Sequence, residues 1–207
     1  MSFERPTRTY RMRKRAEQTR GTRQRIIEAT VRLHTTVGPA NTSISAIADE
    51  AGVSRMTIYR HFANEEELYA ACMSHAAPED HPPDPSRWRE IPDLQERARH
   101  AFNELYAYYE QTAEETYPVY RDFDAMPPGA QQAMRAYDAA LADALIAGCG
   151  LRGRPRAQLR AVAGHLVDFG TWRSLVVQQG LGDREAVDLA CRFFMLTASD
   201  KHPASGR

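Results

Sequence analysis

Between positions 55 and 60 the chain places Arg55, Met56, Thr57, Tyr59 and Arg60, with Ser54 before them and His61 after. Their tips are cationic, apolar and hydroxylated. That mixture suits a nucleic-acid duplex: guanidinium groups pair with phosphate or guanine, hydroxyls donate to backbone or base, and apolar tips pack on thymine methyls. Rival chemistry is poorly supplied. The chain has no Gly-rich phosphate loop, no GxSxG, no HExxH and no Cys/His nucleophile spacing, which makes an enzyme the distant alternative.

For these side chains to act together, a short helix must hold them outward, and the flanking residues specify one. Ile44, Ile47, Ala48 and Ala51 form one apolar helical stripe, with Ser43 ahead of it as a cap. Gly52 follows at once, where a helix end often requires a left-handed residue. Val53 can plug the corner, Ser54 caps the next helix, and Ile58 and Phe62, four apart, face inward. The pattern is a helix-turn-helix, which lays its second helix in a major groove. The plain alternative is a helical hairpin inside an all-helical core. Two caps, a turn glycine, the small Ala48 and an outward basic-polar face together separate the two.

The stretch IADEAGVSRMTIYRHFANEEEL resembles the signature of the tetracycline-repressor (TetR) family of bacterial transcription regulators. The resemblance runs from Thr22 to about Cys72 and includes a preceding helix with Ile26, Ile27, Ala29 and Leu33. It implies that Arg55, Met56 and Thr57 approach base edges. It further implies that Tyr59, His61, Thr42 and Ser43 contact phosphates, with Ser54 and Arg60 completing the DNA-binding set. Glu65 stands where the family commonly has a lysine that grips phosphate. The implied protein is a homodimeric, cytoplasmic, ligand-responsive repressor that binds a palindromic operator on double-stranded DNA and is released by a small, partly apolar effector. An effector-independent regulator and an activator remain open. No cofactor and no metal is expected.

The charge distribution agrees with a nucleic-acid partner at one end. Across 207 residues the net charge is zero, yet residues 1–60 carry twelve Lys/Arg against five Asp/Glu, a net of +7, and the remainder a net of −7. Cys72, Cys149 and Cys191 are far apart and form no CxxC, which favours a reducing compartment over a disulfide framework. No apolar run approaches a membrane span.

The expected fold is all-α: an N-terminal three-helix helix-turn-helix domain and a C-terminal helical bundle. The division is a disordered basic arm over 1–18, the helix-turn-helix domain over 19–63, an effector-binding and dimerisation domain over 64–199, and a flexible tail over 200–207. The arm is either a solvated tail or a further DNA contact. A helix carrying Leu68 and His75 links head to body, and Pro78–Pro85 forms a loop. In the body, helical stripes run through Leu94–Tyr109 and Ala133–Ala147. Others follow over Pro155 to about Gln179 and Arg184 to about Ala198, while Pro118 and Pro127-Pro128-Gly129 break the pattern between the first two. Phe169, Trp172, Phe193, Phe194 and Leu196 are candidates for a dimer interface. Phe102, Tyr106, Tyr109, Tyr120, Phe123, Met126, Tyr137, Phe169 and Trp172 are candidates for an effector cavity, oriented by His165 and Asp168. For each the alternative is ordinary core. His165 and Asp168 together are too few for a dedicated metal site.

Overall fold

In the computed structural model, residues 8–74 and 82–199 are described, the side chains from residue 12 onward. They form ten α-helices and no strand. These are α1 Arg8–Thr36, α2 Ile44–Ala51, α3 Arg55–His61, α4 Glu65–Met73, α5 Pro85–Arg89, α6 Leu94–Arg121, α7 Pro128–Leu145, α8 Gly153–Leu166, α9 Phe169–Arg173 and α10 Asp183–Ser199. They divide into two compact units. The first holds residues 8–74 with 117–130, the second 82–116 with 131–199. The long α6 and α7 therefore each contribute to both.

The first unit has its own core. Ile26, Ile27 and Ala29 of α1 meet Ile47, Ala48 and Ala51 of α2, Ile58 of α3, Phe62, and Leu68 and Cys72 of α4. The predicted stripes are these buried faces. The caps are formed as expected: Ala46 N donates to Ser43 Oγ at 3.1 Å and Thr57 N to Ser54 Oγ at 3.1 Å. Gly52 is left-handed, with φ 64 and ψ 41. A Cβ at that position would meet nothing within 4 Å, so any penalty for a side chain there is conformational, not steric crowding by neighbours. Gly52→Val is expected to destabilise this unit by about 1–2 kcal/mol, and Gly52→Asn by much less. A thermal melt of the two variants decides it, and equal midpoints would refute the conformational account.

Three expectations are corrected. The basic arm is not disordered throughout: α1 begins at Arg8, so positions 8–18 are helical, and only 1–7 lie outside the described residues. Pro118 does not end a helix, because α6 continues through it to Arg121. The ring removes the donor to the Glu114 carbonyl, and Glu114 is exposed, where water can take that place. The long helix expected over 155–179 is broken. α8 stops at Leu166, Val167 caps it, and Asp168 starts α9 by accepting from Thr171 N at 3.1 Å. A π-helical turn, Ser174–Gln178, follows. The short α5 lies beyond what periodicity predicts, and α7 starts at Pro128, a favoured first helical position. His75 and the tail 200–207 lie outside the described residues.

The second unit explains the break. Its core stacks Phe102, Tyr106 and Tyr109 of α6 on Phe169, Trp172 and Phe194, all at most 2% exposed. Ending α8 frees carbonyls that would otherwise sit unpaired in that core. Tyr106 Oη donates to Leu166 O at 3.0 Å and Tyr109 Oη to Val167 O at 2.7 Å. Tyr109 also packs edge-on to Phe169, with ring centroids 5.2 Å apart.

Candidate nucleic-acid interface

Four residues of α3 face solvent: Arg55, Met56, Tyr59 and Arg60. Met56 is 74% exposed and Tyr59 47%, so an apolar and an aromatic tip stand open to a partner on this face. Ile58 and Phe62 anchor the opposite side at 1% exposure each. The α3 backbone is thus fixed by core packing while its outer tips stay available, the arrangement that groove reading requires.

The remaining predicted DNA-binding residues are more constrained. Thr57 is half-buried, and its hydroxyl lies 3.0 Å from Ser54 Oγ, so both hydroxyls serve the helix start. Ser43 is exposed but spends its oxygen on the cap of α2. Thr42 is half-buried, with Oγ1 donating to Gly38 O at 2.9 Å. His61 is half-buried, and burial, then Arg60 and Arg23, lower its pKa, which favours the neutral ring. Arg23 lies 4.7 Å over the Phe62 ring, a cation–π contact behind the recognition helix.

The entry to α2 is clamped from α6. Arg121 Nη2 donates to Val37 O at 2.9 Å, and Ala40 N donates to Asp122 Oδ2 at 3.1 Å. Hydrogen bonding from Arg121 holds the Asp122 carboxyl below the ordinary range. Gly38, with φ 92, passes so close that a Cβ would strike both side chains. On the other flank, Glu67 N donates to Asn64 Oδ1 at 2.8 Å and Ala63 N to Glu67 Oε2 at 2.8 Å, a variant of the capping box in which the glutamate reaches the residue before the cap, and which the Asn-x-x-Glu spacing could have announced. Gly129 N donates to Glu66 Oε1 at 3.1 Å. Two of the three glutamates thus have structural work, while Glu65 borders a cavity of about 180 Å³ with His34 and Tyr69.

The residues suggested for an effector cavity fall in both units. Tyr120, Phe123 and Met126 belong to the first unit. Phe102, Tyr106, Tyr109, Phe169 and Trp172 are core of the second. Tyr137 Oη donates to Pro83 O at 2.9 Å. Asp168 is the α9 cap, and His165, on α8, has Nδ1 3.3 Å from Thr171 Oγ1. Among the described residues no group of three His, Cys, Asp or Glu side chains is placed to hold a metal, and no helix is long and apolar enough to cross a membrane.

Comparison with known proteins bears on the first unit. The profile described as "Bacterial regulatory proteins, tetR family" matches residues 26–72. The HTH-type transcriptional regulator AcrR of Shigella flexneri is 38% identical over 58 residues, which is 28% of this chain and 27% of that protein. The match therefore spans about a quarter of that relative. A solved structure from Clostridium perfringens, provisionally named a fatty acid metabolism regulator, covers 84% of this chain and 97% of its own at a TM-score of 0.59 and 15% identity. At that identity the likeness concerns the fold alone.

Proposed function

The chain belongs to the tetR family of bacterial regulatory proteins, and from that premise we propose that it is a cytoplasmic transcriptional repressor that binds a palindromic operator as a homodimer. The observation that carries this reading is the outer face of α3. Arg55, Met56, Tyr59 and Arg60 are presented to solvent by a helix whose inner side is locked into the core. Arg55 and Arg60 supply charge for guanine or phosphate, Met56 an apolar tip for a thymine methyl, and Tyr59 a hydroxyl for phosphate. One such helix reads one half-site, so two copies are needed for a palindrome. The three free cysteines agree with a reducing compartment.

Response to a small effector is part of the proposal. Its support lies in two of the buried polar atoms of the second unit that have no hydrogen-bond partner among the described residues, Asp138 Oδ1 and Trp172 Nε1. Burial, and then the charge of Asp168, push the Asp138 carboxyl up to about 6. A small, partly apolar molecule that donates to Asp138 or accepts from Trp172 removes a penalty the free protein carries. If it binds better to the conformer unsuited to the operator, it shifts the population off DNA.

The test is selection of duplexes from a random pool, followed by gel shifts on the enriched sequence. Arg55→Ala and Tyr59→Ala are expected to weaken binding of the selected duplex about 10-fold or more, on the order of 1–3 kcal/mol per contact, with melting curves unchanged. Full affinity in both variants would rule out α3 as the reading element.

A further inference from the structure

The N-terminal half of α1 is a helix without a protein surface to rest on. From Met12 to Arg20 every residue is exposed. The helix is 29 residues long, and its first core residue is Ile26. At a rise of 1.5 Å per residue, about 27 Å of helix precedes that residue. Such a segment receives no packing stabilisation, and a helix polar on all sides needs either local ion pairs or a partner. The local pairing is slight, Arg13 Nε with Glu17 Oε1 at 3.0 Å.

Where this extension passes α3, a cleft of about 440 Å³ opens between Arg15, Gln18, Thr19 and Thr22 of α1 and Arg60 and His61 of α3. No carboxylate among the described residues pairs with Arg15 or Arg60. Glu17, the acid within this stretch, is held by Arg13. Thr19 Oγ1 donates to Arg15 O at 2.9 Å, while Arg15, Arg60 and His61 all line one space. Burial, and then the cations Arg60 and Arg23, disfavour a proton on His61, and an anion in the cleft would offset the part due to the charges.

We propose that this cleft is a phosphate-binding site for the DNA backbone, and that the helical extension of α1 is a second DNA-contacting element beside α3. The inference rests on the reading of α3 as the recognition helix. Two arginines on different helices that line one cleft, with no carboxylate partner among the described residues, suit phosphate oxygens, because each can offer a fork of N–H donors. Phosphate contacts add affinity and set register without reading sequence. The contribution of the cleft is therefore the same on specific and random duplexes.

The experiment measures binding of the full chain to a 40-base-pair duplex selected from a random pool, and to a random duplex of equal length, between 50 and 200 mM salt. Removing one cation from a phosphate lowers the slope of log affinity against log salt by about 0.9, so the affinity ratio between those salts shrinks about 3.5-fold. Arg15→Gln and Arg60→Gln are each expected to show that change on both duplexes. Arg13→Gln, outside the cleft, is expected to leave the slope as it was. Unchanged slopes for Arg15→Gln and Arg60→Gln, with Arg55→Ala still losing the selected duplex, would overturn the cleft and leave the recognition helix standing. An equal fall for Arg13→Gln would overturn it in favour of a diffuse basic surface. No binding of either duplex by the parent chain would overturn both readings.

Discussion

Replacing Arg97 with alanine is expected to cost the second unit about 3 kcal/mol and, for a chain of this size, to lower its melting point by about 10 °C. Arg97 lies on α6 at 3% exposure with no carboxylate as its partner. Its partners are carbonyls. Nε and Nη2 donate to Ile91 O at 2.8 and 2.6 Å, Nη2 also to Pro92 O at 3.4 Å, and Nη1 to Leu145 O at 3.3 Å and to Ala147 O. Leu145 is the last residue of α7, and Gly148 turns the chain just beyond it with φ 65. Orphan carbonyls and the negative end of the helix dipole are thus both met by one planar cation. Burial lowers the pKa of the guanidinium, but an arginine remains charged in a protein. Truncation leaves several half-buried acceptors to water that must enter. Arg97→Lys has a compact head and no fork, so it is expected to recover less than half of the loss. The check is a thermal melt of both variants. A midpoint within about 2 °C of the parent for Arg97→Ala would mean that the carbonyls are already hydrated.

The role of Arg97 is not legible in the sequence, and the reason is instructive beside what is. In the head, the signals are local. Ser43, Gly52 and Ser54 each act on backbone groups within a few residues, so spacing alone places them, and the structure forms each one. In the body, the deciding interactions join distant segments. The apolar stripe of Leu159, Val162, Leu166 and Phe169 runs without interruption through the break at Val167, so periodicity predicts one helix where there are two. The break is stabilised by Tyr106 and Tyr109, about 60 positions away, whose hydroxyls take the freed carbonyls. Those tyrosines look like cavity residues in the sequence because a phenol offers an apolar body with a polar tip. A core that contains broken helix ends makes the same demand. The basic arm misleads for a different reason: Met12 to Arg20 has no apolar face, and a helix exposed on all sides leaves no period to detect.

The proposed dimer surface is narrower than the sequence suggests, which sharpens its test. Phe169, Trp172 and Phe194 are at most 2% exposed and complete the core of the second unit. What remains outward on α10 is Leu189 at 38%, Phe193 at 46% and Leu196 at 72% exposure. Spaced by four and three, they form one stripe, while Ala186, Val187, Ala190, Cys191 and Phe194 face inward. An apolar helical stripe left open to water is what a second copy of the chain would cover about a twofold axis. The double variant Phe193→Glu with Leu196→Glu places two like charges on each side of such an interface, where they would be both desolvated and opposed. The expected result is a monomer by sedimentation, with the melting point of the isolated unit within a few degrees of the parent because both side chains are solvent-exposed there. Operator affinity should fall about 100-fold or more, since the second half-site would no longer be held at high effective concentration. Binding to a single half-site should change little, because α3 and its core are untouched. If the double variant still sediments as a dimer, the interface lies elsewhere than this face of α10. If the parent itself sediments as a monomer at micromolar concentration, the palindrome reading loses its physical basis.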